Sequence, residues 1–154
     1  MSLYPQFEAL EATPLGDAIK QSVWLFPVIE SVHLLALATL GGAILMLDLR
    51  LLGLGLTGQP VPAVERAARP WLIGAIVMMV VTGVLLGVSE AVKLYDKQAF
   101  WVKMVALAAA LIFTFAIKTP LVRRDPGPIA KPLALVSLIL WLTVAIAGRW
   151  IGFS

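Results

Sequence analysis

A run from Ser22 to Gly53, SVWLFPVIESVHLLALATLGGAILMLDLRLLG, is long enough to cross a bilayer and yet carries Glu30 and His33 inside it. A span needs roughly 20 mainly apolar residues. Trp24 to Leu47 supplies them, but an ionisable group placed there costs about 2.5–3.5 kcal/mol even on a lenient insertion scale. Glu30 and His33 are three residues apart and so share one helix face, and Asp48 lies on nearly the same bearing five turns further on. One face of this helix is therefore expected to be polar and to point into protein, not lipid.

Three further apolar runs make the same demand on the rest of the chain. With 60% hydrophobic residues and a mean hydropathy of +0.95 over 154 residues, the composition is that of a membrane protein and not of a soluble domain. Spans are predicted at about residues 22–48, 71–88, 100–118 and 132–151, within a single transmembrane domain covering 1–154. The fold class that follows is all-α, an integral membrane four-helix bundle running up-down-up-down. Residues 1–21 carry Glu8, Glu11 and Asp17 against Lys20, with apolar residues at loosely helical spacing, and read as a short interfacial helix segment; Thr13-Pro14 is its natural start. No basic n-region or cleavage site marks the first run as a removable signal. The stretch 48–70 reads as a loop with a half-helix over AVERAAR, and KTPLVRRDPGPIAK as a second loop.

Charge sets the expected orientation. The loops after the first and third spans hold Arg50, Arg66, Arg69, Lys118, Arg123, Arg124 and Lys131, whereas the opposite side holds Lys20, Lys93, Lys97, Lys103 and Arg149. In the bacterial inner membrane this bias puts both termini in the periplasm. Trp24, Tyr95, Trp101 and Trp150 would form an outer aromatic belt and Trp71 would mark the inner boundary. No basic run interleaved with aromatics points to nucleic acid. Gly83/Gly87 and Gly148/Gly152 are GxxxG pairs that predict association with a second copy or with another subunit of a membrane complex.

In this topology the outer ends of all four spans meet. His33 lies roughly 13 Å below the end of its helix and Met79 about as far below Ser89, so an imidazole and a thioether come level. Lys103 and Arg149 stand above them as a cationic rim. That set matches what a b-type haem for electron transfer requires, with His33 as axial ligand, Met79 as its possible counterpart and cations for the propionates. The same His33, Met79 and Glu30 set could instead hold copper or another metal ion. The alternative is a non-catalytic structural or assembly subunit, in which Glu30 and His33 lock helices together and Arg149 or Lys103 neutralises the carboxylate. Asp48 and Arg50 read as a capping or interhelical ion pair at the inner end. With no cysteine and no GxSxG, P-loop or HExxH motif, nothing marks the chain as an enzyme on its own.

Across nearly its whole length, through SVWLFPVIESVHLLALATLGG followed by LDLRLLGLGL, SEAVKLYDKQAFWVKM and the terminal AGRWIGF, the chain resembles an uncharacterised family of bacterial four-helix inner-membrane proteins. The resemblance implies the fold and location but no activity. A looser similarity, to membrane proteins of the copper resistance protein D type, rests on a small-residue-rich bundle with an intramembrane histidine. This chain departs from that type in having one histidine and no Met-rich loops.

Overall fold

The computed structural model describes residues 2–154; Met1 of the expected interfacial segment lies outside the described residues. Every regular element is helical. Tyr4–Glu11 (α1) and Pro14–Gln21 (α2) precede the first long helix, Leu25–Leu52 (α3). Val61–Ser89 (α4) returns, Ala91–Tyr95 (α5) is a single short turn, and Gln98–Ile112 (α6) descends again. A π-helical turn, Phe113–Lys118, joins α6 without a break to Thr119–Arg123 (α7), and a 3-10 turn, Gly127–Ile129, leads into Ala130–Phe153 (α8). Four of these helical stretches, Leu25–Leu52, Val61–Ser89, Gln98–Arg123 and Gly127–Phe153, are long and apolar enough to cross a membrane. The chain is a multi-pass membrane protein built as an all-α four-helix bundle.

The helices run past the expected span limits, most of all at α4, which begins ten residues before Trp71. Pro60 and Pro62 organise its start, where missing donors cost nothing. The AVERAAR segment forms its second and third turns and is no separate half-helix. Pro70 then lies inside the helix. Its ring frees the carbonyl of Arg66, and both residues are exposed, so that carbonyl faces headgroups or water instead of the packed interior. On the other side of the bundle the third span continues to Arg123 because the π turn widens the helix just before Pro120, whose ring would otherwise meet the carbonyl of Ala116. Thr119 Oγ1 donates to the carbonyl of Thr114 at 2.7 Å, satisfying one of the acceptors that the widened turn releases.

Around the bundle the order is α4, α3, α8, α6: α3 packs on both α4 and α8, α8 also packs on α6, and α4 and α6 scarcely meet. The middle of the bundle is apolar, with Leu40, Ile44, Ala75, Ala106, Ala110, Trp141 and Val144 buried together. A second apolar cluster, Leu47, Leu51, Val64, Val122 and Ala134, lies at the end carrying the α3–α4 and α7–α8 loops, here termed the loop face. The opposite, terminal face carries both chain ends. There α1, α2 and α5 form a cap. Phe7 packs against Tyr95, Phe100 and Trp101 with ring centroids 5.2, 6.3 and 6.1 Å away. The interfacial segment is thus two helices and not one. Thr13 caps the second, accepting from the amide of Gly16 at 3.3 Å. Gly16 lets α2 approach α4, since a Cβ there would lie 2.7 Å from the carbonyl oxygen of Glu11 and 3.1 Å from that of Val88. Beyond the cap, Lys97 Nζ donates to the carbonyl of Ile151 at 2.7 Å and ties the start of α6 to the end of α8.

Candidate functional site

Two polar sites interrupt the apolar interior, one towards each face. The first is the histidine site expected from the sequence. His33 is half-buried, and its Nδ1 lies 2.7 Å from Thr82 Oγ1 on α4. Thr82 spends its own proton on the carbonyl of Met78, at 2.6 Å. With that proton so placed its oxygen accepts from His33, an arrangement in which Nδ1 is the protonated nitrogen and Nε2 has a free lone pair when the ring is neutral. Gly83 makes room for the ring, because a Cβ there would come within 3.3 Å of His33 Cε1. Lys103 reaches in from α6 and lies over Gly148 of α8, where a Cβ would be 3.5 Å from Nζ. Both side chains thus enter the terminal-side interior, His33 against α4 and Lys103 against α8. No carboxylate pairs with Lys103 among the described residues.

The other expected members are placed differently. Glu30 is exposed, although it shares a helical bearing with the fully buried Asp48. It sits five residues into α3, at the bundle's rim. Arg149 is exposed as well, its guanidinium 4.4 Å from the centre of the Phe153 ring. Neither joins His33 and Lys103, and the expected four-residue convergence reduces to those two with Thr82. Met79 packs against the apolar core cluster. Gly83 and Gly148, expected to face a partner, instead receive His33 and Lys103 inside the bundle, whereas a Cβ at Gly152 would meet nothing within 4 Å. The sequence carried no sign of Thr82, since an intrahelical bond to the carbonyl four residues back satisfies most threonines in a span.

The second site, towards the loop face, was not assembled by sequence reasoning. Asp48 of α3 and Ser137 of α8 are wholly buried, and Lys118 at the end of the π turn is 2% exposed. Lys118 Nζ donates to Asp48 Oδ1, its ion-pair partner, and to Ser137 Oγ at 2.8 Å. Asp48 Oδ2 has no hydrogen-bond partner among the described residues. Nearby, Glu65 of α4 is 4% exposed and holds Arg69 at 3.1 Å and Arg123 at 3.5 Å. Trp141 Nε1 donates to Thr114 Oγ1 at 3.1 Å. The sequence alone places Lys118 in the second loop as a topology charge. The continuous α6–α7 helix carries it into the interior instead. Asp48 was read as a capping or interhelical pair residue, and the interhelical ion pair is what forms.

Among the described residues no three His, Cys, Asp or Glu side chains gather as a metal-binding group. Neither a curated protein nor a solved structure matches the chain, so the similarity to copper resistance protein D type proteins gains no support. One family profile does match, over residues 7–154, nearly the whole chain. The chain therefore belongs to DUF6644, a family of unknown function.

Proposed function

We propose that this is a protein of the bacterial inner membrane, with both termini in the periplasm, whose terminal-side interior binds an anionic redox cofactor and serves electron transfer. A b-type haem is the group we assign to it. His33 Nε2 would ligate the iron and Lys103 would pair with a propionate. The observation that carries the reading is the 2.7 Å contact of Thr82 Oγ1 with His33 Nδ1, which engages one ring nitrogen and leaves the opposite one without a partner among the described residues. A hydrogen-bonded second nitrogen is the usual means of fixing a ligating imidazole. Arg149 and Glu30 have no part in this version, and Met79, held by core packing, would serve as a sixth ligand only after repacking. Bound there, the haem would supply one-electron chemistry; the chain orients the imidazole, neutralises negative charge and excludes water. Copper would have to rely on His33 without a second clustered ligand, which disfavours it.

The visible spectrum of protein purified in mild detergent tests the reading. A Soret band should be present, should vanish in His33→Ala, and should shift in Thr82→Val, where the ring loses its acceptor. A colourless protein, still colourless after haem addition, would reject it in favour of a structural or assembly subunit. That second reading is supported by the polar bonds themselves, since His33–Thr82, Asp48–Lys118, Lys118–Ser137 and Trp141–Thr114 each join different elements of the bundle. Association with a second copy or another membrane subunit fits either version, with Gly152 free to face it.

A further inference from the structure

The loop-side site has no role in the cofactor reading, and its chemistry is more tightly defined. A cavity of about 20 Å³ adjoins Lys118, bounded also by Glu65, Thr114, Thr119 and Ala68. One water needs roughly 10–15 Å³ on this measure, together with two to four polar partners. The partners form a complementary set. Lys118 has three N–H donors, of which Asp48 and Ser137 take two. Thr114 accepts the indole N–H of Trp141, so its own hydroxyl proton is uncommitted among the described residues. Thr119 has given its proton to the Thr114 carbonyl and retains lone pairs, and Glu65 offers carboxylate oxygens. Lys118 and Thr114 as donors and Thr119 and Glu65 as acceptors thus border a space of one-water size; the Arg69 guanidinium, bonded to Glu65, shares the wall, and Ile44, Leu47, Ala68 and Leu72 give it an apolar side.

The two ends of this site differ. Glu65 is joined to Arg69 and Arg123, whose side chains are 38% and 47% exposed, so the polar chain runs out to the loop face. Towards the terminal face the way is closed by the apolar cluster around Leu40, Ile44, Ala75 and Val144. We propose that the cavity is a one-water site through which the buried Asp48–Lys118–Ser137 cluster exchanges protons with the loop-face compartment and not with the terminal one. In the exchange, the Lys118 ammonium gives its third proton to the water, which passes one of its own to the Glu65 carboxylate; the reverse transfer restores the ammonium. Asp48 Oδ1 accepts an N–H from the lysine throughout, so only the proton moves. The inference is independent of whether a cofactor binds at His33.

The test uses the full chain, labelled with 15N-lysine and reconstituted in liposomes in one known orientation. Proton-detected solid-state NMR reads magnetisation transfer from water to Nζ, and loss of a resonance in Lys118→Met identifies Lys118. Transfer to Lys118 should be present, should disappear with an impermeant paramagnetic chelate on the loop face, and should survive the same chelate on the terminal face. Ala68→Val, which fills the cavity, should abolish the transfer with the Lys118 15N shift unchanged. Thr114→Val keeps the volume, removes one donor to the cavity and the acceptor of the Trp141 indole N–H, and should weaken the transfer; read beside Trp141→Phe, which frees the indole bond alone and should leave the transfer intact, it serves if Ala68→Val does not fold. No transfer in the wild type, quenching from the terminal face, or wild-type transfer in a folded Ala68→Val or in Thr114→Val would overturn the proposal.

Discussion

Lys118 brings a full charge into the bundle, and one carboxylate, Asp48, offsets it. Removing either partner of a buried pair leaves the other uncompensated, at a cost of about 3–5 kcal/mol, whereas removing both costs far less. Asp48→Asn and Lys118→Met should therefore each lower the thermal unfolding temperature strongly, and the double variant should be more stable than either single one. Circular dichroism melts in detergent check this, and additive losses would mean that the two residues are not coupled. His33 was legible in the sequence because an imidazole stands out in an apolar run. Lys118 was not, because it borders a proline-rich segment that reads as solvent-exposed loop. Its burial depends on a helix continuing through Thr119-Pro120, and local propensity argues against that.

At the level of the helices, the apolar runs revealed the spans, but prolines misled about where they end. Pro70 and Pro120 both look like boundaries, yet one frees a carbonyl on an exposed face and the other follows a π turn that makes room for it. The cap was only partly readable: Thr13-Pro14 marks the start of α2, but the docking of α1 on α5 depends on contacts distant in sequence. Glu11 supplies one of them, pairing with Lys20 and accepting the amide of Val92 at 2.8 Å. These partners, the lysine first, hold its carboxyl below the ordinary value of 4.5. A depressed carboxylate stabilises the docked cap above its unfolded value, and the gain is lost as pH falls through the lower folded value. Protection of the Val92 amide from hydrogen exchange, corrected for intrinsic rate, should accordingly hold from neutral pH to about 4.5 and decline below it. Glu11→Gln should lower the protection at neutral pH and remove the decline.

For the whole molecule, the lack of any cysteine makes the orientation directly measurable. Under the proposed orientation, a cysteine at Tyr4 should react with an impermeant maleimide in intact cells, and one at Gly127 only after permeabilisation. The reverse pattern would invert the assignment. The four-helix architecture was legible because each span must satisfy its own backbone within the bilayer, which leaves few alternatives. The histidine site was half legible: topology gathers the terminal ends of the helices, but which side chains turn inward is decided by local packing, and Glu30 and Arg149 turn out. Asp48–Lys118 was beyond reach because the pairing joins residues seventy positions apart. Between the two polar sites lies the apolar layer around Leu40, Ile44, Ala75 and Ala110. Along α3, the fifteen residues from His33 to Asp48 span about 22 Å. A membrane potential falls mainly where the dielectric is low, and this layer is the apolar part of the bundle. Moving one elementary charge across the full potential involves about 2.3 kcal/mol for every 100 mV, so a transfer between the two polar sites would carry the fraction of that set by the share of the voltage lying across the layer.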